Sequence, residues 1–423
     1  MNKYYQLYRV TDEAAAMDTL GVKKLRGPQK RIMPAVYDGR DVFVMLPTGG
    51  GKSLLYQLPA LCEEEGVTLV ISPLIALQQD QVLSLQKRGV EAIAINSHLS
   101  AQERREALDK LGDYSLVYLA PEQLQTVDFR RTIQSTRVNR IAVDESHMLP
   151  QSEVSFRPDY GKIGEFVSFL EERPQIMEVT ATSTKADRTR IKDALGMKDV
   201  ESFIFPVRRD NLHLSVKLLE PVKSKGSEKA RLESSFAKAV TDELTDRKKN
   251  GQVIIYAPFK HRAKQIYRTL KAHGIKRLGL YTGDTKRQKR RKLVKWFKVG
   301  KIRVMVATSA FGLGIDVPHV RLIIHAGLPL SMDAYVQEIG RAGRNGKKAE
   351  CVLFYADSDY SANKKYLERK SDPEELPAVL KRLYQLREIT DTDSCLWRAI
   401  ERYYGKKPGK RCHKCAPCRR KDL

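Results

Sequence analysis

The 423-residue chain carries 76 Lys and Arg against 51 Asp and Glu, a formal net charge of +25, and 42% of it is apolar. That length exceeds one ordinary core and predicts two or three domains. No apolar run approaches the ~18 residues that span a bilayer, which excludes a protein built on membrane-spanning helices. Met1–Tyr5 lacks the apolar core of a signal peptide, so a cytoplasmic location is expected, with the six cysteines as thiols or metal ligands rather than disulfides. The positive charge predicts a polyanionic partner, nucleic acid foremost, although basic surfaces also serve solubility and acidic partners.

Residues 1–40 read as a helical lead-in. Val42–Met45 is then an apolar run of strand type, followed by Leu46-Pro47-Thr48-Gly49-Gly50-Gly51-Lys52-Ser53 and a helical pattern. Strand, glycine-rich turn and helix form the arrangement that cradles a nucleotide phosphate. Thr48 to Gly51 would aim backbone N–H groups at the phosphates, and the helix N-terminus would face the same anion. Lys52 would reach the β- and γ-phosphates, and Ser53 would hold Mg²⁺. An ordinary glycine-rich turn is the alternative.

Strand candidates follow at Val67–Ser72, Ala92–Ile95, Leu116–Ala120, Arg140–Asp144 and Gln175–Thr180, with helices such as Leu77–Arg88 and Lys185–Leu195. The alternation predicts a parallel sheet covered on both faces, with chemistry at the carboxyl ends of its strands. Ile141–His147 ends an apolar strand in two acids. Asp144 would bind Mg²⁺ and Glu145 would orient or deprotonate the attacking water; the alternative is an acidic helix cap. His147 either couples the nucleotide to a partner site or caps a helix.

Around Pro206–Asn211 lies a plausible hinge. A second alternating block starts near Leu212. Its predicted strands are Leu212–Lys217, Val253–Ala257, Arg277–Tyr281, Arg303–Ala307, Arg321–Ala326 and Cys351–Tyr355. Its predicted helices are Ser227–Arg247, Lys260–His273, Thr285–Val299 and Met332–Arg341. Within Gln337–Arg344, two arginines three apart share a face or turn, and guanidinium groups suit charge developing on transferring phosphoryl oxygens. Arg344 is the candidate arginine finger, with Arg341 beside it. After Asp357 the β-rich runs stop. The expected domains are 1–206, 207–357 and 358–423.

Taken in order, the phosphate loop, Asp144–His147, Thr180-Ala181-Thr182 and Gln337–Arg344 resemble a superfamily 2 helicase core. Leu25–Gln29, Pro47–Gln57, Ser72–Gln81, Ala120–Leu124, Phe156–Tyr160 and Ala310–Asp316 are similar to motifs of the RecQ family of DNA helicases. The resemblance covers about residues 18 to 418. It implies an α/β fold of two RecA-like doubly wound parallel-sheet lobes plus a small helical zinc-binding domain. It also implies ATP, Mg²⁺ and Zn²⁺ as cofactors, with ATP bound in the cleft between the lobes. Gln29 would read the adenine edge, Arg26 would flank the base, and Gln337 would belong to the ATP-binding set. Thr180, Thr182, His147, Phe156 and Arg157 would couple the site to DNA. Ser152 and Val154 replace the Trp and His that the family carries in its aromatic-rich loop.

The implied activity is ATP-dependent 3′→5′ translocation on single-stranded DNA. It includes unwinding of tailed or forked duplexes in repair or recombination, with single-strand-binding or recombination proteins as partners. An RNA helicase or remodeller on the same core, and a non-catalytic nucleic-acid-binding module, are the alternatives. The chain ends soon after Cys418, where the family often continues into winged-helix and HRDC domains, so a short form is expected.

Cys395, Cys412, Cys415 and Cys418 have the spacing C-x16-C-x2-C-x2-C, and two-residue gaps let thiolates converge on one tetrahedral ion. The alternative is an exposed, oxidation-prone cluster. His413 is a rival fourth ligand. Cys62 and Cys351 read as core residues. The Lys286–Lys292 run reads as a solvated helix face.

Overall fold

The apolar runs become strands covered on both faces, as parallel sheets require. The computed structural model describes residues 13–73, 75–144, 161–221, 227–245, 251–311, 317, 319–391 and 393–421. They fall into two compact units that divide at Pro206/Val207. In the first unit, β1 (Val42–Met45), β2 (Val67–Ile71), β3 (Ala92–Ile95), β4 (Leu116–Leu119), β5 (Val138–Asp144), β6 (Gln175–Thr180) and β7 (Glu201–Ile204) form one sheet. Its order is β3-β4-β2-β5-β6-β1-β7, and every pairing is parallel. All four residues of β1 are fully buried.

The second unit repeats the plan. Its strands β8 (Leu212–Leu218), β9 (Gln252–Tyr256), β10 (Leu278–Tyr281), β11 (Val304–Ala307), β12 (Val320–Ala326) and β13 (Ala349–Tyr355) run in the order β10-β11-β9-β12-β13-β8. They are again all parallel. Beyond Tyr355 the described residues form only helices, Asp357–Glu368, Leu376–Thr390, Leu396–Tyr403 and Ala416–Lys421. Each unit has its own apolar core, one around Val44, Leu55 and Val70 and the other around Phe236, Ile255 and Ile324.

Predicted strands and helices lie within two residues of the observed ends. The strand that composition did not flag is β7. It is an edge strand that starts Glu-Ser and is only partly buried, so it lacks the apolar run that marks a central strand. Among the described residues no helix is long and apolar enough to cross a membrane.

Polar groups fix the ends of the elements. Asp41, 3% exposed, accepts from Ile176 N–H at 2.8 Å and Lys198 N–H at 2.7 Å and pairs with Arg173. It thereby joins the starts of β1 and β6 to the turn before β7. In the second unit Arg262 is buried between Glu233 (2.9 Å) and Asp359 (2.8 Å), and its guanidinium carbon lies 3.9 Å from the Phe236 ring centroid. Removing one partner of such a cluster strands buried charge. Arg262→Ala is therefore expected to lower the unfolding free energy by about 3–5 kcal/mol, measured by urea denaturation at neutral pH. A loss below about 1 kcal/mol, the scale of an exposed pair, would contradict it.

Candidate nucleotide and metal sites

Because β5, β6 and β1 are neighbours in register, Asp144 lies opposite Val179, and Met45 opposite Thr180. Three candidate groups therefore leave the sheet at one level: the phosphate loop after Met45, Asp144, and Thr180-Ala181-Thr182. Leu46 N–H donates to Thr180 O at 3.0 Å as the loop departs.

The loop itself needs its glycines. Gly49 and Gly51 both have φ of +81°, and a Cβ on Gly50 would stand 2.8 Å from Pro47 O. The helix Gly27–Tyr37 braces the loop from outside. Arg26 donates to Gly49 O, and Gln29 Nε2 donates to Gly51 O at 3.0 Å. Gln29 Oε1 accepts from Arg26 N–H at 2.8 Å, so the amide ties the loop to the start of its own helix. Lys52 and Ser53 lie half-buried where the Leu54–Cys62 helix begins.

Behind the loop runs a partly buried polar relay. Gln81 Nε2 donates to Ser53 Oγ at 3.0 Å, while Gln57 Nε2 donates to Gln81 Oε1 at 2.7 Å and to Tyr118 Oη at 2.9 Å. Tyr56 Oη donates to Asp144 Oδ2 at 3.4 Å. Burial first, and then the Asp144 carboxylate, push the Tyr56 hydroxyl well above its ordinary range. It stays protonated and orients the carboxylate by donating to one of its oxygens. Thr180 and Thr182 are buried and tied together, Thr180 Oγ1 donating to Thr182 O at 3.0 Å. Glu145, His147, Phe156 and Arg157 lie outside the described residues, as do 312–316 of the Ala310–Asp316 motif.

In the second unit, the helix Met332–Ile339 carries half-buried Gln337 and ends in the Gly340–Arg344 turn. The segment before β8 holds that turn. Arg209 donates to Gly340 O at 2.7 Å and Gly343 O at 2.6 Å, and Asn211 Nδ2 donates to Gly343 O at 2.8 Å. Arg341 is 9% exposed and Arg344 half-buried. Burial raises the Tyr256 hydroxyl, and the Arg341 charge beside it pulls the other way. Arg341 Nε has no hydrogen-bond partner among the described residues. Under this turn, buried His325 meets Glu338 at 2.9 Å and stacks on Tyr256.

All four candidate metal-ligand cysteines are buried, and their sulfurs lie within 4.8 Å of one another. A tetrahedral ion with bonds of about 2.3 Å sets sulfurs about 3.8 Å apart; Cys412 and Cys418 are 4.0 Å apart. The donor set therefore fits zinc. Hydrogen bonding from Cys415, aided by the Lys414 and Cys415 N–H groups, lowers the Cys412 thiol. Burial raises Cys395, and its bond to Cys412 raises Cys415. His413 has a φ of +53° and points its residue outward, exposed and apart from the sulfur cluster. Cys62 and Cys351 are buried elsewhere in the cores, and none of the six cysteines forms a disulfide.

Sequence reasoning gave no role to Tyr56, Gln57 or Gln81. They were visible only as letters of the Pro47–Gln57 and Ser72–Gln81 motifs. Arg209 and Asn211 carried no signal beyond sitting in the hinge.

The family model for DEAD/DEAH box helicases matches residues 26–190, and that for the helicase conserved C-terminal domain matches 236–346. The chain is 36% identical over 401 residues to the ATP-dependent DNA helicase RecQ of Bacillus subtilis, covering 94% of this chain and 65% of that protein. It is 32% identical over 370 residues to the probable ATP-dependent DNA helicase RecS of the same organism, covering 87% and 72% respectively. It thus spans just under two thirds of the RecQ relative. Among solved structures, S. cerevisiae Dbp5 bound to RNA and ADP BeF3 superposes with a TM-score of 0.65 at 19% identity, over 90% of this chain and 99% of that one. At that identity the likeness shows the fold, two RecA-like lobes.

Gly343 has a φ of +54°, and a Cβ there would stand 2.6 Å from Lys347 O and 2.5 Å from Asn211 Nδ2. Gly343→Ala is expected to cost about 1–3 kcal/mol, read as a lowered thermal midpoint. An unchanged midpoint would show that the turn does not constrain this residue.

Proposed function

Because this chain belongs to the RecQ family of DNA helicases, we propose that it is an ATP-dependent DNA helicase. The observation that carries the reading is the common level of the phosphate loop, Asp144 and Thr180 at the carboxyl ends of three adjacent strands. In this reading residues 1–206 and 207–357 are the helicase lobes, and 358–423 form a zinc module. Thr48 to Lys52 bind the phosphates of ATP, and Ser53 with Asp144 would hold Mg²⁺, which neutralises phosphate charge when bound. Tyr56 and Gln81 orient those two groups through the bonds described. Glu145 positions the attacking water.

Arg341 and Arg344 supply guanidinium charge to the transferring phosphoryl group, and the unpartnered Nε of Arg341 supports that use. Arg26, Gln29 and Gln337 serve nucleotide binding. Gln29 does so by holding Gly51 as well as by meeting the base. His147, Phe156, Arg157, Thr180 and Thr182 couple turnover to DNA. Cys395, Cys412, Cys415 and Cys418 would hold zinc, which would lock the 412–418 turn to the start of the Leu396–Tyr403 helix.

The substrate is single-stranded DNA with tailed or forked duplexes, tracked 3′→5′ in repair or recombination. The net charge of +25 supports a grip mainly on phosphates. Kinship with the Bacillus subtilis helicases supports a cytoplasmic, nucleoid-associated setting, with single-strand-binding or recombination proteins as companions.

Steady-state ATPase rates without nucleic acid, with single-stranded DNA and with single-stranded RNA test the substrate class. DNA is expected to stimulate most, and equal stimulation by RNA would sink the assignment. Unwinding of 3′-tailed duplex, but not 5′-tailed, is the expected polarity. Lys52→Ala is expected to abolish turnover, and Arg344→Ala to lower kcat by about 10³-fold, both with unchanged circular dichroism; near-normal rates would remove those roles. Freshly reduced protein should contain one zinc per chain by elemental analysis, and Cys412→Ser should lose it. A metal-free wild-type protein would refute the module.

A further inference from the structure

The second sheet has an open side at β10. It is the last strand in the order, and among the described residues it pairs only with β11. Arg277 O and Tyr281 O accept from β11. By the two-residue alternation of a parallel strand, Leu278 and Leu280 turn their N–H and C=O groups to the open edge. Natural edge strands are usually blunted by charge or Pro on the strand itself. Here the four residues are Leu-Gly-Leu-Tyr, with neither.

Beside that edge runs a groove of about 530 Å³, the size of a ligand-binding cleft. Lys289, Leu293 and Trp296 line it from the Arg287–Lys298 helix. Their spacing of four and three places them on one helical face. Tyr267 lines it from the Lys260–Ala272 helix, and apolar Ile302 lines it from the turn before β11. Trp296 is 37% exposed, and the Lys292 ammonium sits 4.6 Å from the centroid of one ring. Seven of the twelve residues of that helix are cationic.

We propose that this groove docks an extended acidic peptide with interspersed apolar side chains, which adds a strand to β10. The free main-chain groups of Leu278 and Leu280 give hydrogen bonds that read backbone, not bases. The apolar floor and the aromatic rings of Trp296 and Tyr267 take the peptide's hydrophobic side chains. The cationic helix selects carboxylates and rejects basic strands. A nucleic-acid strand would use the charge but leave the strand edge and the apolar floor unmatched. The surface is therefore assigned to a protein partner that presents such a segment, in addition to the proposed helicase substrate.

The test uses the full chain and a fluorescein-labelled synthetic peptide that alternates Asp or Glu with Leu or Phe, followed by anisotropy at physiological salt. Saturable binding at one peptide per chain is expected. Replacing the acids by Lys, replacing Leu and Phe by Ser, or N-methylating alternate peptide bonds should each weaken it at least tenfold. Trp296→Ala and Lys289→Glu should weaken the parent peptide at least tenfold with thermal midpoints unchanged. Amide exchange at Leu278 and Leu280 should slow on binding. No binding, or equal affinity for the acid-only peptide, would overturn the proposal, the latter as bare electrostatics. So would indifference to Trp296→Ala and Lys289→Glu together. Displacement by single-stranded DNA, with Trp296→Ala losing DNA affinity in parallel, would reassign the surface to nucleic acid.

Discussion

Strand direction is the constraint on which everything else rests. When every strand of a sheet runs the same way, every carboxyl end opens on the same side. Residues distant in sequence then collect there without any contact being arranged for them singly. Met45, Asp144 and Thr180 reach one level because β1, β6 and β5 pair in continuous register. The polar relay of Ser53, Gln81, Gln57 and Tyr118 and the Tyr56–Asp144 bond then refine positions that the sheet has already set. Such bonds hold position more firmly where water is partly excluded, as it is behind this loop.

The second unit solves a different problem. Its arginine turn departs from the helical path, and Gly343 occupies a left-handed conformation, so something must hold it. The segment Arg208–Asn211 does so, itself closed by a turn in which Leu212 N–H donates to Arg209 O at 3.0 Å. Arg209 and Asn211 bind the carbonyls of Gly340 and Gly343. Arg208 donates to Lys410 O, and the Asp210 carbonyl accepts from Lys414 Nζ, both beside the cysteine cluster. Tyr403 and Tyr404 bond Asp333 at 2.8 and 2.9 Å, fixing the C-terminal helices to the helix that ends in the arginine turn. Cluster and turn thus share one support.

Most of the architecture was legible because parallel strands write themselves as uninterrupted apolar runs. The edge strand β7 was illegible for the same reason: half-buried, it had no need of such a run. The phosphate loop could be read from glycine and lysine spacing, and the sulfur cluster from cysteine spacing, since both are local patterns. Tyr56 against Asp144 could not, because that contact depends on which strand lies between β1 and β5. Gln29 shows the limit most sharply. The family resemblance implied a base reader, and the structure adds bonds from its amide to Gly51 and Arg26, a bracing role that no spacing rule announces. Buried Arg262 between Glu233 and Asp359 was equally silent, since Lys and Arg in sequence read as surface.

Arg208–Asn211 closes a turn. Within these four residues the chain holds two carbonyls of the arginine turn and also meets Lys410 and Lys414 beside the sulfur cluster. An insertion or deletion there would displace both sets of contacts at once. What looks in the sequence like a permissive linker has no slack in its length.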